Sequence, residues 1–519
     1  MLYNSFEFLF AFLPVCLLVY FLTAKLSRWL ANALLAAMSF VFYAWWNTHN
    51  LYIIAASILV NYTLGAMLRM RLRRAEEIEL VYETILDAVG VAGRNPFATR
   101  RDQSSQPIND GADRSPPRDP VSYAILTVGV VINLAALAYF KYADFGLANF
   151  AALTGHPFVP LKITLPLGIS FFTFTQIAFL VDAYRGKAKE LGFFRYCLFV
   201  AFFPHLIAGP IVHHSELMPQ FAEPRAKRWW PSNFDIGIAF LTLGLFKKVI
   251  IADSCGPWAD EVFGADKLLA AGNLICRDAW RGALAYTMQL YFDFSGYCDM
   301  AIGLAMMFNI RLPDNFDSPY KSVDIIDFWR RWHMTLSRFL RDYLYFPLGG
   351  NRKGEPRRQF NLMATMLLGG IWHGAGWTYL IWGGYHGLLL VINHAWASRK
   401  IPLPGIVARG ITLGLVIIGW VIFRAKSMHD ATSVVRAMFT PGRGVTSLVA
   451  SNIAYIQFGV LAFLLLLVNF APNTKQWIER RPLNRKRAIL LGFLFFVCLL
   501  RMREAYLTHE PQPFIYFQF

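Results

Sequence analysis

Runs of predominantly apolar residues recur along this chain, most of them near the length of about 20 residues that carries an α-helix across a bilayer's hydrocarbon core. They fall at 6–24, 29–46, 51–68, 121–140, 165–181, 191–212, 234–252, 283–310, 363–371 with 377–392, 407–423, 456–470 and 489–500. At that depth no water is present to satisfy backbone N–H and C=O groups, and a helix satisfies them within each segment. The pattern predicts an all-α fold, a polytopic integral membrane protein of about 11–12 membrane helices, with partly inserted or interfacial helices where polar residues interrupt the apolar runs. Residues 1–519 read as one membrane domain with a polar insertion at 69–120.

Composition agrees. The chain is 56% hydrophobic and 16% aromatic but only 16% charged, against about a quarter charged in soluble proteins. The run at 6–24 has no basic stretch before it and no small-residue cleavage site after it, so it reads as a retained first helix and not a signal peptide. The formal charge of +17 sits in short connections, among them Arg69, Arg71, Arg73 and Arg74, then Lys247 and Lys248, and Arg352, Lys353, Arg357 and Arg358. Such clusters mark cytoplasmic ends in contact with anionic lipid, and no nucleic-acid partner is expected. The six cysteines show no metal-ligand spacing, so no metal site is expected. Cys255 and Cys276 share a loop and can pair if it faces an oxidising compartment. Within the insertion, 71–86 has the pattern of a short amphipathic helix and 95–120 that of a linker, and the role expected of it is peripheral.

Two histidines stand against this background. His373, in Gly369-Gly370-Ile371-Trp372-His373-Gly374, is flanked by near-continuous apolar sequence, and His333 closes Phe328-Trp329-Arg330-Arg331-Trp332-His333. An ionisable ring at membrane depth is costly, and such residues usually face an interior cavity and carry function. The glycines around His373 allow close backbone approach between helices. Read as one helix, 327–347 places Arg338 and Asp342 as an i,i+4 ion pair and is too charged to span lipid by itself. Asp293, Ser295 and Asp299 interrupt another apolar run, where helix packing through Gly296 and a functional role weigh about equally. His386 and His394 read as structural.

These phrases, together with Arg341-Asp342-Tyr343-Leu344-Tyr345 and Leu348-Gly349-Gly350-Asn351-Arg352, resemble the membrane-bound O-acyltransferase family, in particular its bacterial branch typified by the membrane alginate O-acetyltransferase. Phe42-Tyr43-Ala44-Trp45-Trp46, Leu165-Pro166-Leu167-Gly168-Ile169-Ser170-Phe171 and Phe203-Pro204-His205-Leu206-Ile207-Ala208-Gly209-Pro210 extend the likeness over most of the chain. The insertion at 69–120 departs from it. The resemblance implies helices around a central tunnel, with His373 at its middle and His333 at the paired polar position. It also implies a bacterial inner-membrane location and acetyl-CoA as a cytoplasmic donor substrate, with no tightly bound cofactor. The acetyl group would leave on the opposite side, to a periplasmic SGNH-type partner that completes transfer to an exported, alginate- or cellulose-like polysaccharide.

Acyl transfer from a thioester to a hydroxyl needs a base and a stabiliser of the oxyanion. Imidazole titrates near neutrality, which suits His373 as general base, while His333 can orient the donor or hydrogen-bond the thioester carbonyl. A covalent acyl-histidine is a second route. Arg330, Arg331, Arg338, Arg341, Asn351 and Arg352 are candidates to hold the donor's phosphates. Other readings are transfer of D-alanyl or fatty acyl groups, a transporter or flippase, and a non-catalytic scaffold. A transporter predicts paired halves with broken helices, and no such internal repeat is visible.

Overall fold

The computed structural model describes residues 1–45, 47–88, 119–188, 192–264, 269, 274–441, 448–480, 484–508 and 514–515, and every regular element among them is helical. Among the described residues five helices are long and apolar enough to cross a membrane: Phe8–Leu26, Thr48–Ile78, Pro120–Thr154, Gly405–Arg424 and Asn452–Phe470. Arg28–Ala44 and Ile169–Tyr184 are apolar but shorter. The sequence expected about 11–12 spans; most of the remaining apolar runs form helices that are shorter or less apolar than these five. The outer helices present large apolar side chains such as Leu18, Val131, Phe463 and Phe470 outward, as helices facing hydrocarbon do.

The elements that matter most to the site are nine. They are α1 (Pro120–Leu137, continued by a π-turn at Ala138–Tyr142), α2 (Ile169–Tyr184), α3 (Pro231–Leu245, continued by a π-turn at Phe246–Ala252) and α4 (Cys276–Met307). The others are α5 (Ile325–Arg331), α6 (Met334–Leu340), α7 (Glu355–His373), α8 (Trp377–Ser398) and α9 (Gly405–Arg424). α4 is buried on nearly all sides and packs along α3. Their backbones touch at Gly244 and Gly296, where a Cβ on either would lie 2.6–2.7 Å from the other's carbonyl oxygen. Beside this contact the acids of α4 are paired. Asp293 meets Lys248 at 2.6 Å and accepts the Ile515 N–H at 2.7 Å, and Asp299 meets Lys247 and the Thr474 hydroxyl, both at 2.6 Å. Opposite charges desolvated together hold two elements in register, and removing one partner of such a pair costs about 3–5 kcal/mol. These contacts assign Asp293 and Asp299 to packing, one of the two roles the sequence left open.

Several expectations are corrected. The run 191–212 is not a span: a short helix, Phe193–Ala201, ends in buried irregular backbone. Tyr3 donates to the Phe203 carbonyl at 2.6 Å, Ser39 Oγ accepts from Phe203 N at 3.2 Å and Thr335 Oγ1 from Ile211 N at 3.0 Å, which is how non-helical chain survives at depth. The 327–347 helix breaks into α5, α6 and a π-turn at Arg341–Tyr345, because His333 adopts left-handed backbone, φ 45° and ψ 52°. Arg338 does not pair with Asp342; it makes a two-pronged contact with Glu216 at 2.5 and 2.8 Å, and Asp342 pairs with Arg341 at 2.8 Å.

The amphipathic segment 71–86 is no separate helix but the continuation of Thr48–Ala88, with no glycine or proline to stop it after Gly65. The linker at 95–120 lies outside the described residues except for its last two. There Asp119 caps α1 and takes a 2.7 Å bond from Arg71, which with the Ser122 hydroxyl holds its carboxyl below the usual range. All six cysteines are free thiols, Cys255 and Cys276 included.

α7 and α8 form an antiparallel hairpin joined at 374–376. A Cβ at Gly370 would sit 2.3 Å from the Tyr379 carbonyl oxygen, and one at Gly383 2.3 Å from that of Met366. Gly383→Val is expected to destabilise the protein by about 1–3 kcal/mol through overpacking, read as a lower thermal midpoint in detergent. Gly384→Val, whose nearest neighbour is a leucine methyl at 3.4 Å, is expected to change it little.

Candidate functional site

His373 is the last residue of α7, held between that helix and α8 and only 5% exposed. Its ring packs edge-on against Trp382 of α8 at 5.1 Å and Phe423 of α9 at 5.3 Å. With Trp372, Lys141, Ile207 and residues 165–171 it lines a cavity of about 90 Å³, room for a few heavy atoms. The loop Leu165-Pro166-Leu167-Gly168 closes the far wall. Gly168 is left-handed there, φ 72°, and a side chain would meet the Leu206 carbonyl at 3.1 Å.

His333 lies near Trp372, its ring 6.2 Å from that indole and 4.8 Å from Phe294 of α4. It is fully buried. Its left-handed backbone costs of order 1–2 kcal/mol, and Asn315 holds it there. The Asn315 carbonyl takes the Met334 N–H at 3.0 Å, and its side-chain oxygen faces His333 Nδ1 at 3.1 Å, Thr335 N at 3.3 Å and Thr335 Oγ1 at 2.9 Å. The Thr335 backbone N–H can only donate, which fixes the accepting atom of the amide and makes His333 Nδ1 the protonated nitrogen. A neutral His333 therefore carries its lone pair on Nε2. Held this way, Nε2 is the accepting nitrogen of the ring.

A larger cavity of about 720 Å³ lies among α2, the π-turn after α6 and the loop 347–352, within the usual size for a ligand site. Arg185, Lys187 and Arg352 line it together with the carboxylates of Asp182 and Asp342, three cations to two anions, which leaves it net basic, and His213, Tyr343 and Asn351 add polar walls. At its edge Asp182 accepts the Tyr343 hydroxyl at 2.7 Å and lies 3.4 Å from His214 Nδ1, while Tyr343 also meets His213 Nδ1 at 3.1 Å. From Tyr343 a line of packed rings runs inward: Phe339 at 5.0 Å, then Phe174 at 4.3 Å, then Trp372 at 5.3 Å. Trp372 touches both histidines.

Of the candidates to hold the donor's phosphates, Asn351 and Arg352 line this cavity, whereas Arg330, Arg331, Arg338 and Arg341 do not. Arg331 pairs with Asp327 at 2.8 Å and approaches Asp317 at 3.5 Å. His386 sits fully buried among Phe328, Trp329 and Trp382. Sequence reasoning passed over Lys141, Asp182, His213 and Asn315. Lys141 and Asp182 were discoverable as the charges that directly follow the apolar runs 121–140 and 165–181; Asn315, in a polar connection, gave no such signal. Asn315→Ala removes the acceptor of three donors and is expected to cost about 1–3 kcal/mol, measured as a lower thermal midpoint of the purified chain.

The membrane-bound O-acyltransferase family model matches residues 117–435, a span that takes in both histidines, the ring line and the basic cavity. The chain is 41% identical to the peptidoglycan O-acetyltransferase of Helicobacter pylori, over 84% of this chain and 80% of that protein. It is 37% identical to the probable alginate O-acetylase AlgI of Pseudomonas putida over the full length of both, and 40% identical to that of Pseudomonas aeruginosa over 91% and 81%. With its lipid-facing helices and its buried histidine hairpin, the chain belongs to the membrane-bound O-acyltransferase family and is a multi-pass membrane O-acyltransferase.

Proposed function

We propose that this enzyme takes acetyl groups from cytoplasmic acetyl-CoA and passes them through the bacterial inner membrane for O-acetylation of an exported polysaccharide. The observation that carries the proposal is the ring line joining a basic cavity to two buried histidines. A nucleotide-bearing thioester needs cationic contacts at one end and a dry, apolar path to the reacting carbon at the other. The basic cavity borders the loop that carries Arg352 and Lys353 and leads to Arg357 and Arg358 in the first turn of α7, and so many positive residues close together favour the cytoplasmic face. Relatives matched over at least 80% of their length and named for acetylating polymers support acetyl as the group transferred; they include both an alginate and a peptidoglycan enzyme, so alginate is one acceptor among those to test.

In the proposed reaction His373 removes the proton from the accepting hydroxyl as oxygen attacks the thioester carbonyl. The tetrahedral oxyanion collapses with expulsion of CoA thiolate, which takes up a proton. His333, with Nδ1–H committed to Asn315, offers Nε2 as a second acceptor for the hydroxyl or for that proton. A periplasmic SGNH-type partner would then deliver the acetyl group to sugar. His373→Ala is expected to abolish acetate on the exported polymer, by mass analysis, while the chain still accumulates in membranes; unchanged acetylation would sink the catalytic assignment. Arg352→Glu is expected to raise KM for acetyl-CoA by about tenfold, the equivalent of one charge-assisted hydrogen bond, with kcat nearly unchanged.

A further inference from the structure

The last turn of α7 carries His373 and, like any helix end, leaves carbonyls with no residue four positions on to bond them. Gly374 returns only one bond, to Ile371, before the chain turns into α8. The remaining demand is met from outside by two consecutive residues of the π-turn that follows α1. Tyr142 Oη donates to the Ile371 carbonyl at 2.6 Å, and Lys141 Nζ donates to the carbonyls of Trp372 at 2.7 Å and His373 at 3.1 Å. The third Lys141 proton goes to Ser170 Oγ at 3.2 Å, and the Ser170 carbonyl takes the Trp372 indole N–H at 3.3 Å. Three elements distant in sequence are thereby tied at one point.

The character of the clamp is unusual. The partners of the Lys141 ammonium are neutral oxygens, and its counter-charge is the negative end of the α7 dipole, equivalent to roughly half an elementary charge. A lysine within the apolar span Pro120–Thr154 is costly, and such residues are generally retained for function. Lys141 also shares the wall of the small cavity with His373. We propose that Lys141 is a positioning residue for acyl transfer: it fixes the end of α7 so that the His373 imidazole stands at the cavity in the reacting geometry. This rests on His373 acting as proposed above.

The test measures release of CoA from acetyl-CoA by the full chain in proteoliposomes for wild type, Lys141→Met, Lys141→Arg and His373→Ala. Methionine keeps length and apolar bulk but donates nothing. Displacement of a reacting group by about 1 Å costs on the order of 10²-fold in rate, so Lys141→Met is expected to lose roughly that factor in kcat with KM for acetyl-CoA unchanged. Lys141→Arg, which still donates, is expected to recover much of the loss, and thermal midpoints should not track the kcat values. Wild-type kcat in Lys141→Met, a raised KM with kcat retained, a loss matched by loss of folded protein, or no recovery with arginine overturns the proposal. Should Lys141→Met not accumulate, Tyr142→Phe removes one donor from the same turn, and an undiminished kcat there overturns the clamp. Turnover by His373→Ala at the wild-type rate removes the catalytic reading and the positioning role together. An inactive His373→Ala beside a fully active Lys141→Met removes the positioning role alone.

Discussion

Backbone contact between α7 and α8 is the constraint on which the site depends. Gly370 and Gly383 let each helix rest against carbonyl oxygens of the other, and with no hydrophobic driving force between helices in lipid, such close dispersion contact is what holds them together. The hairpin sets His373 at its tip and Trp382 against the ring. Trp372, one residue earlier, turns toward α2 and becomes the wall that both histidines share. A side chain at either glycine would part the helices and move all three groups together.

Around that contact, the arrangement of polar groups follows from the absence of water. Asn315 gathers the donors left where the chain breaks at His333, and Lys141 with Tyr142 gathers the acceptors left where α7 ends. The same requirement pairs Lys247 with Asp299 and Lys248 with Asp293, which are struts between α3 and α4. Polar residues at depth thus divide into those that close backbone accounts, those that brace helices and those that face a cavity. His373 and the charged residues around the 720 Å³ cavity belong to the last group.

Much of this was legible along the chain, and the exceptions share a cause. Most apolar runs became helices at nearly the expected positions, because in hydrocarbon length and apolarity leave the backbone little choice. The run at 191–212 did not, since distant partners such as Tyr3, Ser39 and Thr335 supply its hydrogen bonds. The break at His333 was hidden because its cause, Asn315, is 18 residues away. The expected Arg338–Asp342 pair yielded to Glu216, which lies 122 residues from Arg338 and offers two-pronged geometry.

The sequence by itself determined the all-helical membrane class, the family and the two histidines, because these depend on local apolar length and on short motifs. Tertiary structure decided which helices face lipid and which are enclosed, which nitrogen of His333 carries its proton, and which basic residues border a cavity. It also decided that Lys141 meets His373. Each of these turns on donors and acceptors brought together from separate parts of the chain, and such pairings leave no periodicity or composition for a linear reading to find.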